Sequence, residues 1–527
     1  MTMTTEREQR RMDVQVRLDA QKTAAERNEW GQFATPPQLA GEIAEYLYAH
    51  WKKTGGGGGL TFLDPAIGTG SFYSALRACV PARAVGAAAG VELDPAFAEA
   101  AAGLWQDTGL EVFRGDFTRL PPPRQYNFIL TNPPYVRHHH MPAEAKISLG
   151  VRVASELKIN LSGLAGLYCY FMLLCDRWMA ANGLAAWLIP SEFMSVNYGK
   201  AVKQYLQRHV TLLHIHRFAP SDVQFADALV SSAVVVFRKS LPSAGHEVHF
   251  SFGGRLGSPE RSERIRQDQL DVASKWTRFA ERASDVNQES GALSLGDLFQ
   301  IKRGLATGDN SFFVLPRREA DRLGIPASCR RPILPSPRYV QQDVIESFSD
   351  GSPDLEKSLC LIDCSLPAEQ IQSRYPCFWA YLESGMAKGV HTGYLTSRRD
   401  PWYSQERRGP APFLCTYMGR TPSLNDGSPF RFLWNKSRAT AANVYLCLYP
   451  KADLAALLAR QPELAATIFK LLQAITTRNL LDESRVYGGG LYKLEPKELA
   501  RVDVQDMVAA IGGLSRQLQK QFTFIGG

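Results

Sequence analysis

Long apolar runs are missing from this 527-residue chain. None approaches the ~20 residues a membrane-spanning helix needs, and the first residues, MTMTTEREQRRMD, are charged from the start where a secretory signal would be apolar. A soluble, cytoplasmic protein is expected, with no membrane partner. Cysteine pairs at metal-ligand spacing are also missing. The nine cysteines are scattered, with no CxxC, and Cys360 and Cys364 are the nearest pair; neither a structural metal nor a disulfide is expected. No internal repeat is visible. Charge of one sign does not dominate: the net charge of +8 and pI of 8.9 suit a polyanionic partner without demanding one.

What is present divides into two parts. Single cores stop growing near about 250 to 300 residues, so a chain of this length needs two domains. Residues 5–30 read as a polar, charge-mixed helix, broken by Gly31-Gln32-Phe33-Ala34-Thr35-Pro36-Pro37, and a second helix follows over 38–53. Beyond Gly55–Gly59, short apolar runs alternate with helical patterns: 60–64, 85–93, 110–115, 126–131 and 184–190. That alternation reads as a parallel, doubly wound α/β sheet. Runs at 212–218 and 229–237 lack an intervening helix and read as an antiparallel hairpin at the sheet edge. A Ser-, Gly- and charge-rich stretch, 246–292, reads as a connector between a domain at 1–245 and a second, aromatic-rich and basic domain at 293–527.

Acidic residues close three successive strands. Asp64 precedes Pro65-Ala66-Ile67-Gly68-Thr69-Gly70, where glycines let the backbone approach a ligand at a helix start. A dinucleotide site shares that turn, but the carboxylate and the missing third glycine favour a positively charged amino-acid moiety over a pyrophosphate. Glu92 ends the second strand and suits a ribose diol. Asp116 ends the third, where it either accepts from an adenine amino group, with Phe117 on the ring, or caps the next turn.

The fourth strand ends in Asn132-Pro133-Pro134-Tyr135. Two prolines stiffen the loop and remove its donors, leaving the Asn132 side-chain oxygen and the Pro133 carbonyl as acceptors. Two acceptors holding both hydrogens of a planar NH2 group favour a tetrahedral nitrogen with a free lone pair, and Tyr135 offers a flat surface for stacking. His138-His139-His140 has no accompanying acidic or cysteine cluster and does not read as a metal site; Arg137 and His138 instead suit contact with a nucleic acid. Ser352–Lys357 has the wrong spacing for a nuclease set, so modification without cleavage is expected.

The motifs GQFATPP (31–37), DPAIGTGSF (64–72), GVELDP (90–95), GDF (115–117) and NPPYVR (132–137) resemble those of the TaqI-like, gamma-class amino-methylating DNA methyltransferases. The resemblance implies a mixed seven-stranded S-adenosylmethionine-dependent methyltransferase sheet and an α+β target-recognition domain. It implies that Thr35, Asp64, Ala66, Gly68 and Gly70 line the methionine part of S-adenosylmethionine, that Glu92 holds the ribose, and that Leu93, Asp116, Phe117 and Pro134 surround its adenine. Asn132, Pro133, Pro134 and Tyr135 would be catalytic, with Phe225 stacking on the target base. Looser likeness over 295–315 and 485–499 implies that Lys302, Arg303 and Arg485 contact double-stranded DNA, although ion pairs explain any one of them equally well. The expected activity is adenine-N6 methylation of a flipped-out base by a monomer, with a cognate restriction endonuclease as genetic partner and no stable complex between them. A glutamine-N5 protein methyltransferase and an RNA base methyltransferase share the NPPY chemistry, but the large second domain favours DNA.

Overall fold

The computed structural model describes residues 3–54, 59–219, 222, 224, 231–280, 293–420, 428–475, 477–487 and 491–504. The chain divides into two units, Met1–Asp285 with Val486–Gly490, and Val286–Arg485 with Leu491–Gly527. Among the described residues no helix is long and apolar enough to cross a membrane.

The first unit is built on a nine-stranded sheet. In chain order its strands are β1 (Leu60–Asp64), β2 (Val85–Glu92), β3 (Leu110–Arg114), β4 (Tyr126–Thr131), β5 (Met179–Pro190), β6 (Thr211–Arg217), β7 (Ser232–Arg238), β8 (Glu247–Arg255) and β9 (Ser258–Arg266), and in space they run β3-β2-β1-β4-β5-β7-β6-β8-β9. The five strands from β3 to β5 are parallel, and β7 enters antiparallel between β5 and β6. The inner parallel strands β1 and β4 read as continuous apolar runs because both faces are covered. Alternate residues supply the two sides: Leu63 and Ile129 face one core with α6 (Ala143–Leu157), α7 (Leu167–Leu174) and α8 (Lys200–Arg208). Phe62, Phe128 and Leu130 face another core. The helices α3 (Pro37–Lys53), α4 (Ser71–Cys79) and α5 (Pro95–Trp105) complete that side, α3 burying Leu39, Ala40, Ile43, Ala44 and Leu47 along one stripe. Two further helices, α1 (Met3–Asp19) and α2 (Ala24–Trp30), precede them.

Two expectations are corrected. The segment from 246 is no simple connector, since β8 pairs in parallel with β6 and β9 pairs antiparallel with β8. Strand β9, SPERSERIR, is exposed along nearly its whole length, so it carries no apolar alternation to announce it. In consequence β6 and β7 form the expected antiparallel pair, but inside the sheet instead of at its edge.

The second unit holds short strands around small cores. Its largest sheet takes Phe299–Arg303, Tyr445–Pro450, Phe413–Thr416, Phe432–Asn435 and Val344–Ile345 in that spatial order, antiparallel except for the last pair. Against expectation, Cys329 and Cys364 are joined as a disulfide, 35 residues apart. Sequence spacing gave no hint because antiparallel pairing of Arg330–Ile333 with Leu359–Ile362 is what brings them together.

Candidate active site

The carboxyl ends of β1, β2, β3 and β4 carry the four sequence motifs side by side, the position at which open α/β sheets bind ligands. Asp64 is buried, and its Oδ1 accepts from the Ala66 amide at 3.1 Å. Burial pushes its carboxyl up to about 7, and among the described residues it has no ion-pair partner. The glycine loop then turns with φ +54° at Gly68 and +93° at Gly70. A Cβ on Gly68 would meet open space, whereas one on Gly70 would lie 2.4 Å from Trp105 Nε1. Gly68 therefore borders room for a ligand, while Gly70 is needed for α5 to pack closely.

Glu92 Oε2 accepts from the Gly68 amide and Oε1 from the Asp94 amide, both at 2.9 Å, tying the loop to the end of β2. Burial raises its carboxyl too. Leu93 beside it is 56% exposed, an apolar side chain left open at a strand end. Asp116 adopts the capping geometry: Oδ1 accepts from the Thr118 amide and hydroxyl at 2.9 and 2.6 Å, and Oδ2 lies 3.4 Å from Arg119 Nε. The Phe117 ring is buried between Phe171 and Trp178, at 5.2 and 5.0 Å. These residues fit S-adenosylmethionine: a buried unpaired carboxylate for a cation, an open glycine backbone, and an exposed apolar side chain for a flat ring.

The catalytic-loop motif is gripped by the main chain of the segment before α3. Asn132 Nδ2 donates to the Phe33 carbonyl at 2.9 Å and to Thr35 Oγ1 at 3.1 Å. Both donors of the amide are thereby used, which fixes its orientation. Asn132 Oδ1 is buried and has no hydrogen-bond partner among the described residues. The Tyr135 amide donates to the Gly31 carbonyl at 3.0 Å, and a Cβ on Gly31, at φ +62°, would fall 2.3 Å from that nitrogen. Tyr135 itself is buried, its ring 5.7 Å from Phe33 and its hydroxyl donating to the Leu188 carbonyl at 3.1 Å. Pro133 is buried and Pro134 partly so. Such a loop can only accept hydrogen bonds at its centre.

Sequence reasoning singled out Thr35 for the cofactor but missed its grip on Asn132, along with the Phe33, Gly31 and Leu188 carbonyls. Main-chain acceptors leave no residue-type signature; only the unusual GQF preceding Thr35 pointed there. Phe225 lies outside the described residues. Arg137 is exposed next to the short turn His138–His140. In the second unit Lys302 and Arg303 are exposed at the mouth of a cleft of about 420 Å³ shared with Glu406, Arg408 and Asn443. The Arg303 guanidinium stacks 4.1 Å from the centre of the Tyr417 ring. Arg485 is instead ion-paired with buried Glu498 at 2.7 Å, the structural alternative foreseen for it.

Two family models match. One, the Eco57I restriction-modification methylase, covers residues 104–224, and the other, the C-terminal domain of the type II methyltransferase M.Eco57I, covers 276–523. Over these two stretches the chain is similar to the Eco57I restriction-modification methylases. Among curated proteins, the chain is 27% identical to type II methyltransferase M.XamI of Xanthomonas campestris pv. amaranthicola over 90% of its own length and 85% of the relative's. It is 24% identical to type II methyltransferase M.AccI of Acinetobacter calcoaceticus over 93% and 87%. Its fold is shared with the type IIL restriction-modification enzyme MmeI, solved in complex with DNA, at TM-score 0.54 and 14% identity. That match covers 88% of this chain and 64% of the MmeI chain. As a type II restriction-modification methyltransferase the chain takes its methyl group from S-adenosylmethionine and acts on DNA.

Proposed function

We propose that this methylase transfers the methyl group to the exocyclic N6 of an adenine flipped out of double-stranded DNA, protecting its site from a cognate restriction endonuclease. The observation that carries this reading is the Asn132 amide, whose NH2 is occupied and whose Oδ1 is buried without a partner among the described residues. A buried acceptor left open costs free energy unless a ligand donates to it, and an aromatic NH2 has two hydrogens to donate.

With one hydrogen on Asn132 Oδ1 and the other on the Pro133 carbonyl, the amine nitrogen pyramidalises and its lone pair turns out of the ring. S-adenosylmethionine, when bound, supplies a methyl group on a sulfonium. As the nitrogen gained the methyl, the C–S bond to the sulfonium would break to leave a neutral thioether, and the positive nitrogen would release one proton to solvent; Asn132 Oδ1 and the Pro133 carbonyl would stabilise the charge while it lasts. Tyr135, its plane fixed through Leu188, stacks on the base, with Phe225 as the second aromatic. On the cofactor side Thr35, Asp64, Ala66, Gly68 and Gly70 take the methionine moiety and Glu92 the ribose. Leu93, Asp116, Phe117 and Pro134 take the adenine, Phe117 through its backbone and Asp116 through Oδ2, which must then leave Arg119. Arg137, His138, Lys302 and Arg303 supply contacts to DNA.

Expression in a host without DNA methylation, followed by single-molecule sequencing, tests the reading. N6-methyladenine confined to one sequence motif is the expected outcome. N4-methylcytosine, or an unmodified genome alongside methylated protein or RNA, overturns it.

A further inference from the structure

Residues 3–30 precede every family motif, yet their polar side chains reach the cofactor loop. Arg11 is buried, its side chain 3% exposed, with Nη2 and Nε donating to Glu8 at 2.6 and 2.8 Å. Its Nη1 donates to the Thr69 hydroxyl at 3.0 Å, and that hydroxyl donates in turn to Gln15 Oε1 at 2.7 Å. Arginine has no acceptor, so the direction of the relay is set. On the other side Trp105 Nε1 donates to the Thr69 carbonyl at 2.9 Å. Thr69 stands between Gly68 and Gly70, the two residues of the loop with most backbone freedom. A second tie lies beyond Glu92 and Leu93: Lys22 Nζ donates to Asp94 Oδ2 at 2.5 Å and to Gln32 Oε1 at 2.7 Å.

We infer that α1 belongs to the cofactor site, with Arg11 and Gln15 as positioning residues that hold Thr69, and through it the Gly68–Gly70 loop, in its binding form before S-adenosylmethionine arrives. A helix that served packing alone would set an apolar residue over the loop. Burying a guanidinium carries a desolvation penalty, and here its free N–H is aimed at the loop hydroxyl. Ordering a glycine loop in advance removes that entropic cost from the binding step. The role is independent of which base is methylated.

The test compares Arg11→Met, Gln15→Ala and Gln15→Glu with the parent in the full chain. Calorimetry without DNA measures S-adenosylmethionine affinity, amide hydrogen exchange without cofactor follows residues 66–70, and steady-state kinetics separate KM for the cofactor from kcat. Arg11→Met and Gln15→Ala are expected to weaken cofactor binding about tenfold, the scale of one buried charge-assisted hydrogen bond. Exchange at 66–70 should quicken while β4–β7 stay protected, and KM should rise with kcat unchanged. Gln15→Glu, made together with Asp19→Asn because Gln15 Nε2 donates to both Asp19 carboxylate oxygens at 3.0 Å, keeps the acceptor toward Thr69 and should retain affinity. Unchanged affinity in Arg11→Met and Gln15→Ala, or a loss matched by quicker exchange throughout β4–β7, overturns the inference, the second by reducing α1 to a folding element.

Discussion

The cofactor loop and the catalytic loop end neighbouring strands, but they are held by different kinds of atom. Side chains hold the first: Glu92 on the Gly68 amide, Trp105 on the Thr69 carbonyl, Arg11 and Gln15 on the Thr69 hydroxyl. The second is held largely by carbonyls, those of Gly31, Phe33 and Leu188, with Thr35 Oγ1 the exception. A loop held by side chains can be loosened one residue at a time. One held by carbonyls responds mainly when the backbone path of its support is altered, or when its own residues change.

The sharpest way to break the comparison is at its centre. Asn132→Ala removes the open acceptor together with the Nδ2 donor held by the Phe33 carbonyl and Thr35 Oγ1, so methyl transfer should fall by about a hundredfold or more, with cofactor affinity kept; radiolabelled methyl incorporation beside calorimetry reads both. Next comes Gly31→Ala. Its methyl would lie 2.3 Å from the Tyr135 amide at a φ of +62°, so the catalytic loop should shift, with a loss of about 1 to 3 kcal/mol in stability and slower turnover, measured by thermal melts and kcat. If turnover survives, carbonyl support is not what positions the loop.

Smaller effects come from titration. Asp64 is held near 7, and a cationic ligand favours its ionised form, so cofactor affinity should climb as pH rises through about 7, with proton release. Asp64→Asn should bind more weakly and lose that pH dependence. A buried cluster on β6 and β8 gives the matching stability effect. His216 Nδ1 and His214 Nε2 lie 2.8 and 2.6 Å from Ser251 Oγ, and His214 stacks on His249 at 4.1 Å. Burial lowers His216 to about 4, so below about 6.5 the unfolded chain takes up a proton that the folded chain refuses. Stability should be full above pH 6.5 and decline as pH falls toward 4, by up to about 1.4 kcal/mol per unit for one such group. Chemical denaturation at several pH values checks the sign. The smallest effect belongs to Tyr135→Phe, which loses one hydrogen bond to Leu188, about 1 kcal/mol, yet keeps the stacking face and most of the activity.

How far these features were legible follows from what each depends on. Strands β1 and β4 announce themselves because both faces are buried, and the motif ends of β1 to β4 because carboxylates, glycines and prolines carry distinct chemistry. Strand β9 was hidden by its exposure, and the Cys329–Cys364 disulfide by its dependence on strand pairing. Lys302 and Arg485 read alike as basic residues near sheet strands, yet one is exposed at a cleft and the other is paired with Glu498; sequence carries no sign of a partner 13 residues away.

The way Asn132 is tethered also decides what the pocket refuses. With its NH2 committed to Phe33 and Thr35, the amide cannot rotate to offer a donor. On the proposed adenine reading, a guanine or thymine would present a carbonyl oxygen where adenine presents its amine, setting lone pair against lone pair at a buried acceptor. Discrimination against keto bases would then follow from the hydrogen bonds that fix Asn132.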